Sequence, residues 1–345
     1  MAQLRMKDVA EKAGVSISTV SHVINTPEVV AAETIARVRR AMDEIGFVPN
    51  AAARQLKLGT SSTIGMVVTD ISEPFWAELA RAVETHAEAQ GLSVLLADSN
   101  FSAQRESTHL DFFAYQRVKG ILLAPVGVGM DALAPLVKRG TPAVVFGQGP
   151  PGLPFPSVSH DDIAGGRLAV RHLTSLGRKR LAFLGGPLSL PPISNRLQGA
   201  AEVAQEAQAD LRVLPTTDMS FAEGYRVGAE LTARGPQHMP DGVLAATDLL
   251  ALGFIKALHI DGAVRIPEQL AVIGYGDISF AANSLLPLAS VRQPNSAIAA
   301  AAVKLLLDQF DGHKPAGQSL FPPELVIRES AAPGRPILDT THQGG

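Results

Sequence analysis

The chain has 345 residues, 46% hydrophobic and 18% charged, with 30 Lys and Arg against 33 Asp and Glu and no cysteine. That length suits two or three globular domains, and the missing cysteine excludes disulfides, iron–sulfur clusters, thiolate zinc sites and cysteine nucleophiles. No apolar run reaches a membrane span and the N-terminus has no signal-peptide core, so a cytoplasmic protein with no membrane partner is expected. The charge is uneven: residues 1–60 carry eight basic against six acidic side chains, and the remainder 22 against 27. A mildly basic head on an acidic body suits a module that meets phosphate.

The first element is a helix over Met6 to Ala13, with apolar residues at 6, 9, 10 and 13. Gly14 follows, where a left-handed cap costs least. Ser16 supplies an N-cap oxygen to a second helix, Ile17 to about Asn25. Val20, Val23 and Ile24 share one face of it. Ile17, Ser18, Ser21, His22 and Asn25 are left on or near the other. Thr26-Pro27 breaks the helix. A third helix runs from about Ala32 to Ile45, with Ile35, Val38, Met42 and Ile45 inward and Gly46 at its end. A short helix with a small, polar outward face, held on a partner helix, suits a DNA major groove.

The string DVAEKAGVS (8–16), continued by TVS (19–21) and Asn25, resembles the N-terminal signature of the LacI family of bacterial transcription regulators. The resemblance implies a helix-turn-helix head over 1–49 and base contacts from Ile17, Ser18 and His22. Ser16, Ser21, Asn25, Thr34 and Asn50 match positions that meet phosphates or nearby groups. Many relatives have arginine where His22 stands, so a different operator is expected.

Pro49 ends the preceding helix, Asn50 can cap a new one, and Ala51 to Leu58 contains good helix formers. Eight residues are too few for a stable isolated helix, so this segment is expected to order on a partner. It resembles the family's hinge helix, over 50–60. Leu56 matches the residue that wedges between base pairs, and Ala53, Arg54 and Lys57 flank it, the two cations facing phosphate.

From Thr63 the pattern becomes α/β. Strand-like runs TIGMVVTD, LSVLLAD, GILLAP and PAVVFGQ alternate with helices near 74–90, 103–117 and 131–139. A second series begins near Asp161: a helix to Leu176, RLAFLGG, a helix near 195–208, LRVLP, a helix near 221–234, GVLAAT, a helix to His259, and LAVIGYG. Continuously apolar strands between helices imply parallel sheets covered on both faces. The expected body is two Rossmann-like parallel-sheet subdomains with ligand between the C-terminal ends of their strands. It resembles the periplasmic-binding-protein-like core of the same family, as an effector-binding and dimerisation core over 61–330. Subdomain 1 is placed at about 61–159 plus 292–320, and subdomain 2 at about 160–290 plus 321–330. Crossings are expected near 158–162, 288–293 and 318–324, and 331–345 is expected to be a disordered tail.

Carried over position by position, the resemblance implies effector contacts from Asp70, Phe75, Trp76, Asp161, Arg196, Met219, Asp248, Asp277 and Gln293. The Arg196 fork suits hydroxyls or a carboxylate. Two departures stand out: Gly147 and Gly276 occupy positions where many sugar-responsive relatives have aspartate. A roomier, less negative cleft is expected, for an effector bulkier or more anionic than a neutral monosaccharide: a sugar acid, sugar phosphate or oligosaccharide. Asp70, Asp161 or Asp248 could instead restore an ordinary sugar site. A purine or other non-sugar co-repressor is the alternative.

Catalysis is not expected. The chain has no GxSxG, GxxxxGK[ST] or HExxH motif. Gly185-Gly186-Pro187 lacks a full phosphate fingerprint, Asp161-Asp162 reads as helix caps, and His160 and His172 are unclustered, so neither metal nor cofactor is expected. A transport binding protein would not carry the DNA head, and a ligand-independent DNA binder would not need the cleft. The reading is a repressor acting as a homodimer on a pseudo-palindromic operator. The tail has no leucine heptad, so a tetramer is not expected.

Overall fold

The computed structural model describes residues 4–47, 61–126, 134–148, 155–260, 264–314 and 317–332. It divides into two units, residues 1–61 and 62–345. The hinge positions Asn50, Ala53, Arg54, Leu56 and Lys57 lie outside the described residues.

In the first unit α1 (Met6–Ala13), α2 (Ile17–Asn25) and α3 (Ala32–Ile45) form as the periodicity predicts. Gly14 takes φ 64°, and Val15 N–H closes onto Ala10 O at 3.0 Å. The Ser16 hydroxyl accepts from Thr19 N–H at 3.0 Å, so the turn is capped on both sides. Val9, Val20 and Val38, one from each helix, are fully buried together. Each contributes about 2 kcal/mol.

Among its described residues the second unit contains two six-stranded sheets. The first comprises β1 (Thr63–Val68), β2 (Ser93–Asp98), β3 (Ile121–Leu123), β4 (Ala143–Phe146), β5 (Ser157–His160) and β11 (Gln318–Phe321), in the order β11-β5-β4-β3-β1-β2. The second comprises β6 (Arg180–Leu184), β7 (Asp210–Leu214), β8 (Gly242–Ala245), β9 (Ala271–Gly276), β10 (Ala289–Arg292) and β12 (Glu324–Val326), in the order β12-β10-β9-β8-β6-β7. Every pairing is parallel except β10 with β12. Both sheets therefore have the doubly wound order 2-1-3-4-5, which opens a crevice where the order reverses.

Helices α4 (Pro74–Glu88), α5 (Ala103–Tyr115), α6 (Ala134–Arg139) and α12 (Asn295–Phe310) belong to the first sheet. Helices α7 (Asp162–Ser175), α8 (Pro191–Glu206), α9 (Phe221–Arg234), α10 (Asp248–Ile260) and α11 (Ser279–Asn283) belong to the second. The chain passes between sheets after His160, again at Gln293, and again at Pro322-Pro323.

Several boundaries differ from expectation. Helix α8 starts four residues earlier than predicted, because Pro191 and Pro192 occupy its first turn, where no N–H is needed. Helix α5 stops at Tyr115 because Arg117 takes φ 52°. Strand β5, sequence SVSH, has no apolar run and is missed by pattern reading. Ala331, the first residue of the predicted tail, is fully buried, while Ser330, placed in the core, donates its hydroxyl to Val272 O at 2.6 Å; residues 333–345 lie outside the described residues.

Candidate functional site

On the head, Ile17, Ser18 and His22 are exposed along one side of α2, as a reading face requires. Ser21, expected on or near that side, is buried. Asn25 is half-buried and donates to the Ser21 carbonyl at 2.8 Å and to its hydroxyl at 3.2 Å. Ser21 directly follows the buried Val20 and lies at the inner edge of the helix. The Ser16 hydroxyl is taken by the cap and by Thr19 Oγ1, and Thr34 is half-buried.

In the second unit a cavity of about 190 Å³ lies between the two sheets. A water occupies roughly 30 Å³ in the liquid, so the space suits a small molecule. It opens at the reversal point of both sheets. Thr69 and Glu73 follow β1, Ala124 and Pro125 follow β3, Thr247 follows β8, and Gly276 ends β9. Phe75, Trp76, Phe101, Phe146 and Tyr275 supply aromatic walls. Phe75 and Trp76 meet edge to face, 5.1 Å between centroids.

Arg196 enters from α8. Its Nε donates to Asp162 Oδ1 at 2.7 Å, its Nη1 to Ala246 O at 2.6 Å, and its guanidinium lies 3.8 Å from the Tyr275 ring centroid. Small residues make this possible. A Cβ at Gly166 of α7 would come 2.1 Å from Arg196 O, and one at Gly199 of α8 would come 1.9 Å from Ile163 O. The two helices are in backbone contact, which sets Arg196 beside Asp162. Burial opposes the Asp162 charge, but His160 and Arg196 outweigh it and hold its carboxyl below the usual range. His160 Nε2 lies 2.9 Å from Asp162 Oδ1, 2.7 Å from the Gln293 amide and 3.4 Å from Arg196 Nη2. As an N–H it donates to Asp162; as a lone pair it accepts from Gln293 or Arg196.

Of the expected effector residues, Phe75, Trp76, Arg196, Met219 and Gln293 line the cavity. Four aspartates do not. Asp70 accepts from Ser72 N–H and Oγ–H at 2.8 and 2.6 Å. Asp161 caps α7, accepting from Ala164 N–H at 2.9 Å. Asp248 is fully buried, bonded to Ser290 Oγ at 2.7 Å and Ile278 N–H at 2.9 Å. Asp277 turns away to Arg292 and Arg328, at 2.6 Å from each. Gly147 and Gly276 both line the cavity, and among the described residues no atom beyond its chain neighbours lies within 4 Å of where a Gly147 Cβ would stand. A Cβ at Gly276 would instead meet Asp248 Oδ2 at 3.5 Å, so the open space stands at Gly147 and not at Gly276.

Sequence reading missed Glu73, His160, Asp162, Thr247 and Tyr275 in the walls. Asp162 was available as the second member of the Asp161-Asp162 pair, since one cap needs only one carboxylate. Tyr275 is interior to an apolar strand and gave no signal.

Glu73 changes the charge of the cavity. It is buried, and burial pushes its carboxyl up to about 7, with the charges of Asp248 and Asp70 adding to the effect. The folded protein thus holds this proton more tightly than the unfolded chain does. Glu73's contribution to stability is full below its unfolded pKa near 4.5 and is lost as pH rises through about 7. Asp248, pushed up to about 6 by burial, acts in the same direction over a lower window. Urea titrations are expected to show wild-type stability falling between pH 5 and pH 8 by about 3 kcal/mol. Glu73→Gln should remove most of that slope; an unchanged slope would place the proton elsewhere.

Comparison with known proteins matches this construction. Residues 5–50 match the model described as bacterial regulatory proteins, lacI family, and residues 170–331 match the periplasmic binding protein-like domain. The HTH-type transcriptional repressor PurR of Pasteurella multocida is 35% identical over 94% of this chain and 98% of its own length. A transcriptional regulator CelR–cellobiose complex is 31% identical, covering 95% of this chain and 99% of that one, with a TM-score of 0.68. The lac repressor dimer bound to operator and the anti-inducer ONPF is 28% identical, covering 96% and 99%, with a TM-score of 0.80. With a helix-turn-helix head and two parallel-sheet subdomains around a cleft, the chain belongs to the lacI family of bacterial regulatory proteins and is a DNA-binding transcriptional repressor.

Proposed function

We propose that this repressor is controlled by a neutral, ring-bearing small molecule, a sugar or oligosaccharide, held between the two sheets. The observation that carries the reading is the aromatic-walled cavity in which Arg196 is fixed. Aromatic planes stack on the apolar faces of sugar rings, while Arg196, Gln293, His160 and Thr247 offer polar contacts. The CelR relative is in complex with cellobiose. The anionic effector expected from the sequence is disfavoured. Arg196's charge is already met by Asp162, whose Oδ1 lies 2.7 Å from the Arg196 Nε. The flat walls Phe75, Trp76, Phe101 and Phe146 favour a second reading, a purine or other planar metabolite acting as co-repressor.

The effector acts through differential affinity for cleft conformations that hold operator well or poorly. The hinge over 50–60 carries that change to the head over 1–49, and the protein works in the cytoplasm on nucleoid DNA. Ile17, Ser18 and His22 read base edges. A homodimer sets two heads on a pseudo-palindromic operator. Leu95 and Leu96 on β2, with Phe112 and Tyr115 on α5, leave an apolar edge on the first sheet that a second copy would cover. His22→Ala is expected to lower affinity for operator selected from random DNA by about tenfold or more, without changing head stability, because His22 is exposed. Equal affinity for operator would remove His22 from the reading face.

A further inference from the structure

The four residues after the core of β9, Gly276 to Ser279, touch four separate parts of the molecule. Gly276 lines the cavity. Asp277 pairs with Arg292, at the end of β10, and with Arg328, beyond the last crossing. Three successive N–H groups then donate to side chains of three different elements. Asp277 N–H donates to Ser290 Oγ on β10 at 3.0 Å, and Ile278 N–H to Asp248 Oδ2 on α10 at 2.9 Å. Ser279 N–H donates to Glu78 Oε1 on α4, in the other subdomain, at 2.9 Å.

The backbone here is over-determined. Gly276 has φ 127° and Asp277 φ 53°, a region that aspartate enters at a cost. Its two arginines and two neighbouring amide bonds hold it there. Ser279 opens α11, so its N–H has no partner within that helix. Glu78 supplies one from across the cleft. Glu78 also stands one turn beyond Phe75 on the helix that brings both Phe75 and Trp76 to the cavity. A second contact across the cleft, Asn195 Nδ2 to Gln148 Oε1, is 3.5 Å long and adds little.

We propose that residues 276–279 are a clasp in which Glu78, accepting the Ser279 N–H, holds the mouth of the cleft shut and ties closure to the crossing strands. Glu78 is thus a positioning residue for the regulated change. It touches no ligand in this scheme and acts through Ser279. The proposal rests on the effector reading for its biological role, but not for its test. An effector that fits favours the clasped state; one too large to clear Gly276 opens it. The same four residues carry either change to Arg292 and Arg328, and through them to the second and third crossings.

The test uses the full chain without effector or operator. Hydrogen exchange at the Ser279 amide is expected to be about tenfold faster in Glu78→Ala than in wild type. Glu78→Gln keeps a carbonyl oxygen and is expected to retain most of the protection, which separates the bond from a general loss of packing. Because the chain has no cysteine, spin labels at Glu84→Cys and Ala282→Cys, both exposed and in opposite subdomains, report the width of the mouth. Their mean distance should lengthen in Glu78→Ala and not in Glu78→Gln. Unchanged exchange, or faster exchange with no change in distance, would overturn the clasp while leaving the effector site untouched.

Discussion

Arg196→Ala is expected to lower stability by about 3–5 kcal/mol and to abolish effector binding. Arg196 is only 7% exposed, and its partner Asp162 is 4% exposed. Removing the guanidinium strands the carboxylate in a low-dielectric site, with the His160 ring 2.9 Å away. It also leaves Ala246 O without its donor and uncovers one face of Tyr275. Arg196→Lys keeps the charge but cannot serve Asp162 and Ala246 together, so it should recover only part of the loss. Adding Asp162→Asn to Arg196→Ala should be milder than the sum of the two singles, because the stranded charge is gone. Urea denaturation of the four proteins measures this, and additive losses would mean the two groups are not coupled.

Gly166→Ala is expected to cost about 3 kcal/mol, the upper part of the range for overpacking a closed interface. The added Cβ would meet Arg196 O at 2.1 Å and Ala200 N at 2.9 Å. Both are helical backbone, so α7 and α8 must move apart rather than one side chain turning aside. That movement draws Arg196 off Asp162, and effector affinity should fall with stability. Arg171→Ala, exposed on the same helix, is the control, with a change under about 0.5 kcal/mol. Thermal melts of both variants decide it. A Gly166→Ala protein as stable as wild type would show that the helices are not in backbone contact.

Much of the fold is written in local signals. Helix α2 begins after Ser16 and stops before Thr26-Pro27, as those residues require, and the buried strands β1, β6 and β9 declare themselves as apolar runs. Where reading failed, longer-range contacts decide. The Pro191-Pro192 pair looks like a loop until it is seen as a first helical turn. SVSH looks polar because β5 reaches the crossing, where His160 must meet Asp162 and Gln293. The cavity was half legible. Phe75, Trp76, Arg196, Met219 and Gln293 face it, but Asp248 and Asp277 follow strands of the correct sheet and turn elsewhere. Sequence position gives the end of the strand and not the direction of the side chain. At Asp277 that direction is set by φ 53° and by two arginines, one of them 51 positions further along the chain.

The most direct test is a titration of the full chain with matched ring compounds, followed through Trp76, the single tryptophan in the cavity wall. Cellobiose, ribose and adenosine would be compared with glucuronate, ribose 5-phosphate and adenosine 5′-monophosphate. A saturable change with one or more neutral members, absent in Arg196→Ala and weaker for the anionic counterparts, is the predicted result. The neutral member that binds separates the sugar from the purine reading. Binding of anionic members alone, or a response that survives Arg196→Ala, would contradict an effector site built around the Arg196–Asp162 pair.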